Sequence, residues 1–67
     1  MIMYAIRNKR TRKWMYGTDY TRVPPRQRTS EDKAMLFETE QDAKNEFRWR
    51  KCGKSYEIVP VRLEALE

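Results

Sequence analysis

Histidine is absent from this 67-residue chain, cysteine occurs once and glycine twice. Each scarcity removes a class of chemistry. Without an imidazole base, the hydroxyls of Ser30 and Ser55 have nothing to activate them as nucleophiles. A zinc site would be left with one thiolate and carboxylates, a poor donor set. Cys52 cannot form an internal disulfide, and its solitude fits a reducing compartment. Its neighbours Lys51 and Lys54 favour a thiolate, but a place at a helix C-terminus opposes one. Neither Gly17 nor Gly53 begins a Gly-rich phosphate loop. Carboxylate pairs are confined to Glu31-Asp32 and Glu40/Asp42, where solubility and helix capping account for them. The sequence thus offers no catalytic residues, no metal ligands and no cofactor motif, and reads as a non-enzyme. Long apolar runs are missing too. The N-terminal MIMYAIRNKR has about six residues before its first charge, short of the 7–15-residue core of a secretory signal and of a membrane span. A cytoplasmic protein is expected.

What is present is aromatic and basic. Two Trp, four Tyr and two Phe supply large buried areas to a chain whose mean hydropathy is only −1.05. The length allows one domain with one thin core, enclosed by a sheet and a helix. Residues 1–65 are read as that domain. The last two, Leu66-Glu67, match the remnant a common cloning site leaves before a C-terminal His-tag, and are set aside.

Period-two alternation marks two strands and a hairpin. In IMYAIR, Ile2, Tyr4 and Ile6 share one face and Met3, Ala5 and Arg7 the other. In WMYGTDYTR, Trp14, Tyr16, Thr18 and Tyr20 fall on one face, Met15, Gly17 and Asp19 on the other. VPPRQRTSEDK, residues 23–33, reads as a long loop, and AMLFE, residues 34–38, as a third strand. A helix follows. Thr39 is its N-cap, Glu40 and Asp42 sit in its first turn, Arg48, Arg50 and Lys51 near its end, and Gly53 is placed to close it. Ala43, Phe47 and the stem of Arg50 form its buried stripe, with Trp49 off that stripe. SYEIVPVRLE is a fourth strand, and Pro60 sends it to an edge. The expected fold is α+β: a four-stranded, mostly antiparallel sheet in β-β-β-α-β order, with one helix on one face. The expected strand order is 4-1-2-3, the last strand lying parallel to the first.

The net charge of +5 is unevenly spread. Residues 1–28 carry eight basic side chains against Asp19 alone, a net +7, whereas residues 29–67 carry seven basic and nine acidic groups, a net −2. That asymmetry marks a polyanion partner. The candidate nucleic-acid-binding residues are Arg7, Lys9, Arg10, Arg12, Lys13, Arg22, Arg26 and Arg28. Most are arginine, whose planar fork suits phosphates and guanine edges. Trp14, Tyr16 and Tyr20 lie among them as core residues or as stacking platforms. Arg48, Trp49 and Lys51 form an accessory surface at the helix end.

The run KAMLFETEQDAKNEF resembles the strand-to-helix junction of the arm-binding domains of phage tyrosine integrases and of the related AP2-like domains of plants. Phe37, Glu38, Thr39 and Ala43 occupy the matching positions. The resemblance implies a three-stranded sheet whose open face enters the major groove, with contacts from Arg7, Arg10, Arg12, Lys13 and Arg22. The fourth strand departs from that plan. The size and plan also look like those of small proteins of bacterial prophages and mobile elements. The expected function is nucleic-acid binding, duplex DNA favoured, with no membrane partner. The competing expectation is a protein-interaction module, with homodimerisation as one form of it, using Trp49, Tyr56 and the edge strand 56–63.

Overall fold

A computed structural model describes residues 1–62 of the chain; Leu63 and the Leu66-Glu67 pair lie outside the described residues. The elements are β1 (Ile2–Asn8), β2 (Trp14–Asp19), β3 (Arg26–Ser30), α1 (Glu40–Trp49) and β4 (Tyr56–Arg62), with a single 3-10 turn at Gly53–Ser55 before β4. The four strands form one sheet in the order β3-β2-β1-β4 with a helix beside it, so the α+β architecture is as expected, while the order 4-1-2-3 arises with a different segment as its third strand.

Two expectations are corrected. The third strand is Arg26–Ser30, inside the segment read as a loop, and not residues 34–38. Its sequence, RQRTS, has no apolar alternation: Arg26 and Arg28 look to water, and on the core side the positions are polar, with Thr29 opposite Met15 and Gln27 reaching polar partners. The run at 34–38 makes only a bridge. Phe37 exchanges both backbone hydrogen bonds with Tyr4, each 2.8 Å, and Met35 N–H donates to the Met15 carbonyl at 3.1 Å. It wedges between β1 and β2, which pair at Arg7 and Trp14 and then part.

That return pass explains the second correction. β4 runs antiparallel to β1, from Tyr56 opposite Asn8 to Arg62 opposite Ile2. Residues 31–38 carry the chain back down the sheet, the helix carries it to the Asn8 end, and β4 must then descend. One extra traversal inverts the direction of everything after it.

The wedge also places Pro60. Tyr4 spends its N–H and C=O on Phe37, so its pairing with Pro60 is of the non-hydrogen-bonded kind and the proline nitrogen faces the open edge. An edge strand with no donor at its centre is a poor template for another strand. Pro60→Val restores that donor and is expected to make the protein self-associate; sedimentation that stays monomeric at high concentration would contradict this.

The core is small. Ile6 and Met15 are fully buried with Cys52, and Phe37, Phe47, Tyr56 and Ile58 pack around them. Ala43 is buried and Trp49 is 75% exposed, as the helical stripe requires. Thr39 caps the helix, its hydroxyl accepting from Asp42 N–H at 3.1 Å. The closure differs from expectation. Lys51, not Gly53, takes the left-handed position after the helix, at φ 52°. Lys51 N–H then donates to the Arg48 carbonyl and Cys52 N–H to the Phe47 carbonyl, the two bonds of a Schellman ending. Cys52 and Phe47 thereby both enter the core. Gly53 is also left-handed, at φ 75°, and opens the 3-10 turn. Burial pushes the Cys52 thiol up to about 11, so it is not a poised nucleophile.

Candidate nucleic-acid interface

The basic residues fall into three groups, and local chemistry places each. The β1–β2 turn carries Lys9, Arg10, Arg12 and Lys13, all exposed. Asn8 builds this turn: its Oδ1 accepts from the backbone N–H of Arg10 and of Thr11, both at 2.9 Å, and its carbonyl accepts from Arg12 N–H. Arg12 sits at φ 64°, the left-handed position that ends the loop.

A second group lies at the other end of β2. Asp19 Oδ1 accepts from Thr21 N–H at 3.0 Å and shapes the turn that carries Arg22. Arg22 has only a loose pairing to Asp19, at 4.0 Å. Six residues of β2 at ~3.3 Å each separate the two turns by roughly 20 Å.

Arg26 and Arg28 bridge that gap on β3. Trp14 pairs with Arg7 and with Ser30, so these three share a face. Strand parity puts Arg28 and Arg26 on the same face, away from the helix. Gln27 and Thr29 take the other. Gln27 Nε2 donates to the Arg50 carbonyl at 2.6 Å, Arg50 Nη1 donates to Thr18 Oγ1 at 3.0 Å, and Thr18 Oγ1 donates to Gln27 Oε1. This triangle ties the β2–β3 ribbon to the helix end.

A bulge between Met15 and Gly17 corrects the expected faces of β2. Past the extra residue the parity flips, so Trp14 and Thr18 point to opposite sides. Met15 takes the core position, Trp14 is half-buried on the helix-free face, and Tyr16 and Tyr20 are exposed.

Arg7 is the one nominated residue already committed within the fold. Its guanidinium donates twice to Glu57 Oε2, at 3.0 and 2.7 Å, and lies over the Trp14 ring at 5.6 Å. The hydrogen bond from Arg7 holds the Glu57 carboxyl below its ordinary value of 4.5, and the Thr21 hydroxyl does the same for Asp19. A carboxylate with a lowered folded-state value stabilises the fold above its unfolded value, and that contribution is lost as pH falls through the folded one. With no histidine to titrate, the melting midpoint should stay level from pH 6 to 8 and fall below about pH 4.5. Glu57→Gln should flatten part of that acid limb; an unchanged limb in thermal melts would remove Glu57 from the explanation.

Among the described residues, Lys9, Arg10, Arg12, Lys13, Arg26 and Arg28 have no carboxylate within salt-bridge distance. The accessory residues Arg48, Trp49 and Lys51 sit at the helix end, apart from the β2–β3 face. Lys51 is joined there by two of the nominated arginines. An open pocket of about 430 Å3 lies between the β2–β3 turn and the helix end, lined by Arg22, Arg26 and Lys51 as well as Pro24, Pro25 and Tyr56. Neither this pocket nor the Gln27–Arg50–Thr18 triangle was legible from spacing, because each joins residues more than twenty positions apart.

Comparison with known families, with characterised proteins and with solved structures finds no match to this chain. Among the described residues no group of His, Cys, Asp or Glu side chains gathers into a metal site, and no helix is long and apolar enough to cross a membrane.

Proposed function

We propose that this chain is a nucleic-acid-binding module that seats duplex DNA against the helix-free face of its β2–β3 ribbon. One observation carries the proposal: β3 presents Arg26 and Arg28 on the same face as Trp14, between two exposed basic turns. The strip they form is about as long as the two turns are apart. Exposed guanidinium groups along such a strip, with Asp19 opposite Arg26 on the same face, match a row of phosphates, and Trp14 supplies an apolar edge for base contact. The same plan, a three-stranded sheet face with basic turns, underlies the resemblance to integrase arm-binding domains. A cytoplasmic protein of the prophage or mobile-element type suits this reading.

Fluorescence anisotropy with a labelled mixed-sequence duplex tests it. With about six phosphates neutralised, log affinity falls against log salt with a slope of about −5, and a fourfold rise in salt costs about a thousandfold. Binding that ignores salt would overturn the proposal.

A protein-interaction role has one observation in its favour, the 75% exposure of Trp49, the kind of side chain that anchors interfaces. The other surface assigned to it, the β4 edge, is blunted by Pro60. We therefore place Trp49 second.

A further inference from the structure

We propose that the pocket between the β2–β3 turn and the helix end is a seat for one unpaired nucleotide unit, an inference that rests on the nucleic-acid reading above. Its volume of about 430 Å3 lies within the range of small-ligand sites. Its lining divides into two kinds of surface. Arg22 from the β2–β3 turn and Lys51 from the helix end bring two cations to it without a carboxylate in the lining, and Arg26, whose side chain takes the helix-free face, borders it. Pro24, Pro25 and the half-buried Tyr56 supply flat apolar area. A phosphate needs the first and a base the second. Guanidinium forks meet phosphate oxygens with charge-assisted, often bidentate hydrogen bonds, and an aromatic ring accepts any base by stacking.

The two walls are held in place before a ligand arrives. Gln27 bonds the Arg50 carbonyl at 2.6 Å and so joins the β3 wall to the helix wall. The Schellman ending fixes the backbone of Lys51. Pre-positioned walls lower the ordering cost of binding. Asp19 stands beside the rim, 4.0 Å from the Arg22 guanidinium, and tempers one of the two cations.

A free nucleotide and an unpaired nucleotide at the end of a strand share this chemistry, and four probes separate them. Anisotropy compares a blunt duplex with the same duplex carrying a one-nucleotide overhang. NMR titration compares thymidine 5′-monophosphate with inorganic phosphate. The overhang should bind about tenfold tighter than the blunt end, as one base-stacking contact allows. The mononucleotide should shift amides at residues 22–27 and 51–56 more than phosphate does. Lys51→Gly removes a cation while suiting the left-handed backbone, so it keeps the fold; it should bring the overhang-to-blunt ratio towards one. Mononucleotide shifts at those residues without an overhang preference would support the seat and assign it to free nucleotides. Phosphate acting as strongly as the mononucleotide, or an overhang preference that survives in Lys51→Gly, would overturn the inference while leaving the duplex reading intact. Failure of the wild-type protein to bind either duplex or the mononucleotide would remove both.

Discussion

Ile6→Ala is expected to abolish cooperative folding, or to leave a protein that melts near room temperature. Ile6 and Met15 are the two large side chains with no exposure at all, and every partly buried apolar residue of the core packs around them and Cys52. Removing a buried isoleucine side chain costs about 2–5 kcal/mol. A chain of this size rarely holds more than ~3–5 kcal/mol in its core. The deletion therefore takes most of the stability. Ile2→Ala is the control, on the same strand and the same face but exposed. It should change the melting midpoint by only a few degrees. Far-ultraviolet circular dichroism during heating reads both; an Ile6→Ala melt within about five degrees of wild type would mean that the core lies elsewhere.

The second large effect concerns binding. Replacing Arg10, Lys13, Arg26 and Arg28 together with glutamine should cost roughly a thousandfold or more in duplex affinity at about 0.1 M salt, because each lost phosphate contact is worth nearly a factor of ten there. The salt slope should drop from about −5 to about −2 in the same experiment. The fold should survive, since all four side chains are exposed and none has a carboxylate within salt-bridge distance among the described residues. A neutralised variant that binds as tightly as wild type would show that these charges serve solubility and protect the β3 edge from strand pairing.

How much of this was legible in the sequence depends on range. Local signals read well: Thr39 as the cap, Ala43 and Phe47 as the buried stripe, Trp49 off it, Asn8 as the start of a turn and Pro60 at an edge all follow from chemistry within a few residues. Three features did not. β3 was hidden because an edge strand whose core-side positions are Gln27 and Thr29 has no hydrophobic alternation to reveal it. Phe37, in a run that reads as a strand, belongs instead to a one-residue bridge, because its strand-like composition serves the core rather than a ladder. The bulge at Tyr16 inverted the faces of β2, and one inserted residue leaves no compositional trace.

The candidate site divides in the same way. Its charges were countable, and their concentration in residues 1–28 was plain from the sequence. Their use was not. Arg7 is spent on Glu57, fifty residues away, and only the register of β1 with β4 makes that pair visible. Arg26 and Arg28 gained importance once β3 existed, because a strand gives them a common face that a loop would not. Lys51 stood out as a helix-end charge, and only the packing of the β2–β3 turn against that end brought it beside Arg22.

The most direct measurement is a chemical-shift titration of isotope-labelled protein with a short mixed-sequence duplex, first at low and then at moderate salt. The proposed interface requires shifts at residues 9–13 and 22–28 and at the Trp14 indole, fading together as salt rises. Absence of shifts at low salt would contradict it, as would shifts confined to Trp49 and β4 that persist as salt is added.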